Sequence, residues 1–263
     1  MDAGLLLGLI FMGCVPTTIS SNVVMTKQAH GNQALTVVQS TLGNFLGPFI
    51  TPLLVEMYIA RGAWYTKPLP EGGSFGELYK RIFIQLGLSI FLPLVVGQII
   101  QNSLPKITKK VLVDWKLSKL SSFSLLIIIW QTYDQAFETG AFKSVKGNNI
   151  VFIVFISVVL YVIWSAICIL LSALWLSKED TVAVAYCVPA KTPAMGVPLA
   201  TVMFAGLSPI TSSKLQIPLV IYQGLQIAAG SILTIFFRKW VSYRQNVRAS
   251  DDNALPQVLD PAS

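Results

Sequence analysis

The chain has 263 residues, of which 54% are hydrophobic and only 12% are charged, and its formal net charge is +7. Soluble domains carry about 25% charged residues, so this composition excludes an ordinary soluble protein and predicts a membrane protein. The basic residues lie in loops between apolar segments, a pattern that predicts membrane topology and contact with anionic lipid rather than binding of nucleic acid.

The apolar segments predict about seven membrane spans, because roughly 20 helical residues cross a hydrocarbon core of about 30 Å. In chain order, the spans are predicted at about 4–29, 33–59, 77–101, 117–133, 150–176, 181–205 and 215–237. The basic segments 106–119 and 238–248 are expected on the cytosolic side. The polar tail after Arg248 is expected to be disordered.

Two polar stretches that contain proline interrupt the first and the sixth span. Their motifs are Cys-Val-Pro-Thr-Thr at residues 14–18 and Cys-Val-Pro-Ala-Lys-Thr at residues 187–192. The helix of the first span is expected to be broken over 15–20. Non-helical backbone persists at membrane depth only where it is packed in protein or lines a wet cavity, and paired interruptions in two halves of a chain indicate the substrate site of a transporter.

An odd number of spans leads from one break to the other, so the two broken helices are predicted to run in opposite directions, as in an inverted repeat. On this interpretation, residues 1–59 are the last two helices of an N-terminal repeat and residues 77–237 form a five-helix C-terminal repeat. Residues 238–263 form a cytosolic tail that is first basic and then disordered. The first three helices of the N-terminal repeat are expected to be missing.

The first break offers a candidate solute or ion site. Pro16 removes a backbone donor and disfavours helix at the preceding residue. Oxygen-bearing side chains then cluster where the helix restarts, at Thr17, Thr18, Ser21 and Asn22. The alternative is an ordinary proline kink whose Ser and Thr side chains bond to their own backbone.

The second break contains Pro189, Lys191 and Thr192. A lysine at the centre of a membrane helix costs about 2.5–3.5 kcal/mol, so Lys191 is by default a functional hypothesis. The alternative is that Lys191 snorkels from the end of a span to the membrane surface. It lies about ten residues beyond the polar cluster Lys178-Glu179-Asp180, and in a regular helix this depth is too great for its side chain to reach the surface.

Further polar residues recur at helical spacing on two other spans. Thr36, Gln39, Ser40 and Asn44 share one face of the second span, where they either complete a polar pocket with the first break or form interhelical hydrogen bonds. Weaker candidates on the last span are Gln216, Tyr222, Gln223 and Gln226. The pairs Gly4/Gly8 and Gly43/Gly47 favour close helix packing within the monomer rather than a dimer face.

The sequence does not predict an enzyme. Apart from Glu77 at the very start of the third span, Glu56 is the only carboxylate inside a predicted span, and no Ser/His/Asp set, metal-ligand spacing or phosphate-binding loop is present. No cofactor is expected, and the identity of any coupling ion is a separate question.

Several stretches together resemble the sodium/bile acid cotransporter superfamily, and within it the branch of solute carrier family 10 member 7 and its fungal calcium-homeostasis regulator relatives. They are CVPTTISSNVVMTKQAHGNQA from Cys14, LGNFLGPFITP from Leu42, PLVVGQ from Pro93, CVPAKTPAMGVP from Cys187, and IPLVIY from Ile217 with Gly230. The resemblance implies an all-α membrane fold of ten spans in two inverted five-span repeats, with two broken helices that cross at the midplane.

The resemblance also implies an ion site. In sodium-dependent members a Ser-Asn pair after the first break, hydroxyls on the next helix and a glutamate in the second break hold one sodium ion. Ser21 and Asn22, with Thr36 and Ser40, match the first parts of this set. Cys187 stands at the glutamate position and Lys191 at a sodium-binding glutamine position, so Lys191 is expected to act as a tethered cation that replaces sodium.

The function implied is a transporter-like protein that negatively regulates cytosolic calcium in the plasma membrane, with the endoplasmic reticulum or Golgi membrane as the alternative location. Its expected partners are the lipid bilayer and a small solute or ion. Two alternatives stay open. One is a sodium-coupled carrier of organic anions or bile acids. The other is a non-transporting regulator whose basic segments dock a calcium channel or anionic lipid.

Overall fold

The computed structural model describes residues 2–60, 62–66, 80, 84, 88, 92–111 and 118–254, and every element longer than a turn in these ranges is a helix. The helices are α1 (Ala3–Cys14), α2 (Ser20–Gln28), α3 (Gln33–Ile59), α4 (Leu92–Ser103), α5 (Pro105–Lys109), α6 (Ser118–Glu138), α7 (Ala141–Ser144), α8 (Gly147–Ser172), α9 (Lys178–Cys187), α10 (Pro193–Met203) and α11 (Pro209–Ala254). A single 3₁₀ turn, Trp64–Thr66, follows α3. The all-α prediction is confirmed.

Three helices in the described ranges are long and apolar enough to cross a membrane: Gln33–Ile59, Gly147–Ser172 and Pro209–Ser242. The first of these has the predicted bounds of the second span. The first and sixth predicted spans are the broken helices α1–α2 and α9–α10. Residues 118–133 of the fourth predicted span lie within α6, and residue 117 lies outside the described residues. Residues 77–79, 81–83, 85–87 and 89–91 of the third lie outside the described residues, so the division into two repeats stays a prediction.

Local caps explain where several helices begin. The Asp2 carboxylate accepts hydrogen bonds from the backbone N–H groups of Gly4 and Leu5, and Ser177 accepts one from Asp180 at the start of α9. Lys214 on α11 donates to Asp2 over 2.8 Å. Burial raises the pKa of Asp2, but the bond to Lys214 and its charge, together with the two N–H groups, outweigh burial and leave this pKa below its usual value.

The two broken helices run in opposite directions. The end of α2 meets the start of α9, where the backbone N–H of Asn32 donates to the Glu179 carbonyl at 2.9 Å and its side chain donates to Asp180 at 2.7 Å. At the other end α1 meets α10, with the rings of Phe11 and Phe204 edge to face at 5.7 Å. The second half of one broken helix therefore packs against the first half of the other, and this arrangement confirms the predicted antiparallel crossing.

Helix α11 is the central element of the core. Its Leu215 and Leu219 pack with α1 and α10, whereas Phe237 packs with α2 and α9. Large apolar side chains on the outer faces of α3 and α8, such as Leu53 and Phe155, are exposed. In a multi-pass membrane protein such surfaces face lipid chains rather than water.

Helix α11 also differs from expectation at its C-terminal end. It continues to Ala254, beyond Arg248, where the sequence predicts that disorder begins. No Gly or Pro occurs between Gly230 and Pro256 to stop the helix. Residues 255–263 of the predicted tail lie outside the described residues.

We predict that Gly8→Ala lowers the thermal stability of the purified protein. A Cβ atom at Gly8 would lie 2.4 Å from the backbone oxygen of Leu215, so α1 and α11 would have to separate. Overpacking of this kind costs about 1–3 kcal/mol. The measurement is the apparent Tm in detergent. The matched control is Gly224→Ala on α11, where a Cβ meets nothing within 4 Å, and equal Tm values for the two variants would contradict the prediction.

Candidate functional site

The two breaks meet each other at the crossing. Helix α1 ends at Cys14, and the C-cap residue Val15 is extended, with φ −71° and ψ 144°, as the following Pro16 favours. In the second break Thr192 is also extended, with φ −112° and ψ 120°, and precedes Pro193. The Thr192 backbone N–H donates to the Pro16 carbonyl at 3.0 Å, so backbone freed by one break is paired with backbone freed by the other.

Every carbonyl oxygen from Gly13 to Thr18 accepts a hydrogen bond. The donors in order are Lys191 Nζ to Gly13, Thr51 Oγ1 to Cys14, Lys191 Nζ to Val15, the Thr192 N–H to Pro16, Asn44 Nδ2 to Thr17 and Asn22 Nδ2 to Thr18, over 2.7 to 3.0 Å. An unpaired carbonyl in hydrocarbon costs several kcal/mol. The side chains around the break therefore stabilise a backbone conformation that a helix cannot supply.

Lys191 places its ammonium group at the C-terminal end of α1. Its Nζ donates to Gly13 O at 2.8 Å and to Val15 O at 3.0 Å. The last carbonyls of a helix carry the negative end of its dipole and attract cations. The side chain is half-buried, so its ammonium group is held against the end of α1 rather than in bulk solvent.

Side chains of helix α11 form hydrogen bonds with the backbone of the second break. The Gln226 side chain accepts from Lys191 N and donates to Lys191 O, both at 2.7 Å. The Tyr222 hydroxyl donates to the Pro189 carbonyl at 2.6 Å. These three bonds replace those that a helix would have formed, so they determine where the Lys191 side chain begins.

Helix α3 contributes the polar face predicted from its spacing. Asn44 bonds to the first break, whereas Ser40 and Thr36 face the second break at Cys187, whose sulfur lies 3.5 Å from Ser40 Oγ and donates to the Thr36 carbonyl at 3.8 Å. Gly47 lets α3 approach closely, because a Cβ there would lie 2.6 Å from Pro16 Cγ. The Gly43/Gly47 pair therefore serves packing inside the monomer, as predicted.

Two cavities flank the crossing. One, of about 250 Å³, is lined by Met12, Gly13, Leu160, Trp164, Lys191 and Tyr222 among others. The other, of about 460 Å³, lies between α3 and the breaks and is lined by Cys14, Thr17, Gln39, Gly43, Ile50 and Cys187 among others. Val188 borders both, so the second break separates them.

The structure brings the predicted site residues together around the crossing. They are Pro16, Thr17, Thr18, Ser21, Asn22, Thr36, Ser40, Cys187, Pro189, Lys191 and Thr192. Ser21 is the least involved of them, since its hydroxyl reaches only Thr18 Oγ1 at 3.5 Å. The ion-binding role of the set is not tested by these contacts and stays a prediction.

Sequence reasoning missed Thr51 and Trp164. Thr51 follows Asn44 and Gly47 at helical spacing on the same face of α3, a signal that could have found it. Trp164 lies on α8, whose apolar sequence offers no such signal. Gln226 was a weak candidate, yet its side chain pairs with both backbone groups of Lys191.

Comparison with known proteins agrees with this architecture. The model of the SBF-like CPA transporter family matches residues 1–239. Solute carrier RCH1 of Candida albicans is 38% identical over 294 residues, which cover 99% of this chain and 71% of the relative. Solute carrier RCH1 of Saccharomyces cerevisiae is 35% identical, with coverage of 92% and 63%. Sodium/bile acid cotransporter 7 of Xenopus tropicalis is 30% identical, with coverage of 92% and 66%.

The helical fold and the crossed breaks thus define a multi-pass membrane transporter of the bile acid/sodium symporter type. The chain belongs to the SBF-like CPA transporter family. It spans between 63% and 71% of the length of the three relatives described.

We predict that Gln226→Leu destabilises the protein more than Gln39→Leu. The first change removes the partners of both backbone groups of Lys191, and each buried unpaired group costs about 1–3 kcal/mol. Gln39 is the control, since its Oε1 has no hydrogen-bond partner among the residues that the structure describes. The measurement is the apparent Tm of each purified variant. If the apparent Tm of Gln39→Leu falls as much as that of Gln226→Leu, the hydrogen bonds to Lys191 make no special contribution to stability.

Proposed function

We propose that the protein negatively regulates cytosolic calcium from the plasma membrane, and that the Lys191 ammonium takes the place of a coupling sodium ion at the crossing. Membership in the transporter family supports the general mechanism, in which a solute binds beside the broken helices. The resemblance of the breaks to the branch that contains fungal calcium-homeostasis regulators supports the calcium role.

The bonds from Lys191 Nζ to Gly13 O and Val15 O carry the proposal. In transporters with broken helices, sodium ions bind to unwound carbonyls and to the C-terminal ends of half-helices. The ammonium makes the same kind of contact with the end of α1. A cation that is covalently attached to the protein stabilises these carbonyls without an ion from solution.

The second expected ion position favours the same conclusion. Cys187 stands where sodium-dependent members carry a glutamate, and its thiol lies beside Ser40 Oγ and the Thr36 carbonyl. A sodium ion in this buried site would have no carboxylate to balance its charge, and burial of an unpaired charge is costly. The neutral hydrogen-bonded cluster needs no ion.

The cavity of about 250 Å³ is the candidate solute site. Two of the three ammonium protons of Lys191 bond to α1, which leaves one proton for a solute or water in this cavity. Met12, Leu160 and Trp164 line the same cavity with apolar surface. The site therefore suits a small solute with one acceptor group.

A sodium-coupled carrier of organic anions is the second candidate. It is supported by the name of the vertebrate relatives, sodium/bile acid cotransporter 7, and by the presence of Ser21, Asn22, Thr36 and Ser40 at the matching positions. Sodium dependence separates the two candidates.

We predict that Lys191→Met, introduced at the chromosomal locus so that the protein is made in its natural form, raises cytosolic calcium to the level of a deletion strain. The change removes the tethered charge but keeps an unbranched chain of similar length. Water in the adjacent cavity can pair with the carbonyls of Gly13 and Val15, so the protein should still fold. Cytosolic calcium after an external calcium pulse is measured with a calcium-sensitive reporter.

The control is Lys27→Met, the same chemical change at an exposed lysine in the last turn of α2. It should leave the calcium response unchanged, and the membrane abundance of both variants should match the wild type. A normal calcium response in the Lys191→Met strain at normal abundance would refute the proposal.

We also predict that sodium does not stabilise the purified wild-type protein. A ligand present at 100 times its Kd stabilises the folded state by about 2.7 kcal/mol, so the apparent Tm in sodium chloride should exceed that in choline chloride only if a sodium site exists. We expect equal values. Sodium-stimulated uptake, or a sodium-dependent Tm that disappears in Asn22→Ala, would favour the sodium-coupled carrier instead.

A further inference from the structure

A third cavity lies far from the crossing, between α2 and the C-terminal part of α11. Its volume is about 650 Å³. Helix α11 lines it with Ser231, Ile235, Arg238, Lys239 and Ser242, and α2 contributes Gln28 from the facing side. The spacing of the α11 residues places them on one face of that helix. A contact between Ser242 Oγ and His30 Nδ1 at 3.4 Å joins the two helical segments beside the cavity.

The charge of this cavity is positive. None of its lining residues is acidic. The only ion pair among the side chains that the structure describes is Asp2–Lys214, so Arg238 and Lys239 have no carboxylate partner among those side chains. Both side chains are exposed. An unpaired guanidinium beside an ammonium is suited to phosphate, which Arg binds through two parallel hydrogen bonds.

The depth of the cavity in the membrane follows from the rise of α11. Gln226 lies at the crossing because its amide bonds to Lys191, and broken helices of transporters meet near the midplane. At 1.5 Å per residue, Ile235 is about 14 Å and Arg238 about 18 Å along the helix from Gln226. The hydrocarbon half-thickness is about 15 Å, and the headgroup region extends to about 20–22 Å. Arg238 and Lys239 therefore lie at the level of lipid phosphates, with Ile235 just inside the acyl region.

An aromatic residue supports this depth independently. Trp240 follows the two basic residues, and Lys178 Nζ lies 5.0 Å from its ring centroid and donates to its backbone carbonyl at 3.2 Å. Tryptophan is enriched at the membrane–water boundary. Positive charge in the sequence also places this end of α11 on the cytosolic side, where anionic lipids concentrate.

We infer that this cavity binds the phosphomonoester headgroup of an anionic phospholipid from the surrounding leaflet. Arg238 and Lys239 hold the phosphate, Gln28 and Ser242 offer hydrogen bonds from the same cavity lining, and the part of the cavity toward Ile235 receives the beginning of the acyl chains. The site is separate from the crossing and does not depend on the identity of the transported solute.

The test is equilibrium binding to the purified full chain in neutral detergent, measured by microscale thermophoresis with a short-chain phosphatidylinositol monophosphate. We expect saturable binding that Arg238→Gln/Lys239→Gln weakens by about 30-fold, since each basic residue near the surface contributes about 1 kcal/mol to binding of anionic lipid. The matched control is Lys106→Gln/Lys109→Gln in α5, which removes the same charge at two exposed positions and should weaken binding by less than about threefold.

Other results would overturn the inference. They are an absence of saturable lipid binding, an Arg238→Gln/Lys239→Gln variant that binds like the wild type, or a control variant that loses as much affinity, which would indicate general electrostatic attraction. A further arm uses the soluble inositol phosphate headgroup and inorganic phosphate. Binding of either as tightly as the lipid would identify a free phosphate compound as the ligand and overturn the assignment to a lipid.

Discussion

The need to pair backbone carbonyls within the membrane governs the architecture of this protein. The first broken helix loses helical hydrogen bonds at Pro16, and backbone groups without partners are unstable in hydrocarbon unless other groups bond to them. All six carbonyls from Gly13 to Thr18 are filled by donors from α2, α3 and the second break. Each of these elements must therefore lie within hydrogen-bond distance of the break, and this requirement determines how the helices pack.

Glycine makes these short distances sterically accessible. A Cβ at Gly47 would lie 2.6 Å from Pro16, and a Cβ at Gly196 would lie 2.4 Å from Leu219 and 3.1 Å from Val15. Each glycine thus occupies a place where a larger residue would push a helix away from the crossing. Polar donors alone would not suffice, because a hydrogen bond weakens steeply once its partners separate.

The same crossing explains how an ammonium group is accommodated between the two broken helices. Lys191 is held by its own backbone through Gln226 and by its side chain through the end of α1. The negative end of the α1 dipole offsets part of the cost of burying the charge. Helix α11 links this arrangement to the membrane surface, since it carries Gln226 at the crossing and Arg238 about three turns further on.

The local features of this chain could be predicted from its sequence. Apolar length determined the bounds of α3, and the prolines at 16, 189 and 193 determined where two spans are interrupted. Lysine in an apolar segment and polar residues at helical spacing marked Lys191, Ser40 and Asn44 as neighbours of a common site. These properties depend on residues close together in the chain, where side-chain chemistry and helix periodicity act directly.

Only the tertiary structure decided which donor meets which carbonyl. Lys191 bonds to Gly13, which lies 178 positions away in the sequence, and to Gln226, which lies 35 positions away. Such pairs arise when two helices pack at one particular angle and distance, which no local period encodes. The same holds for the basic cavity beside Arg238, since its opposite wall comes from Gln28, near the other end of the chain. Helix positions therefore follow from local sequence, whereas the pairing and the cavities follow from packing.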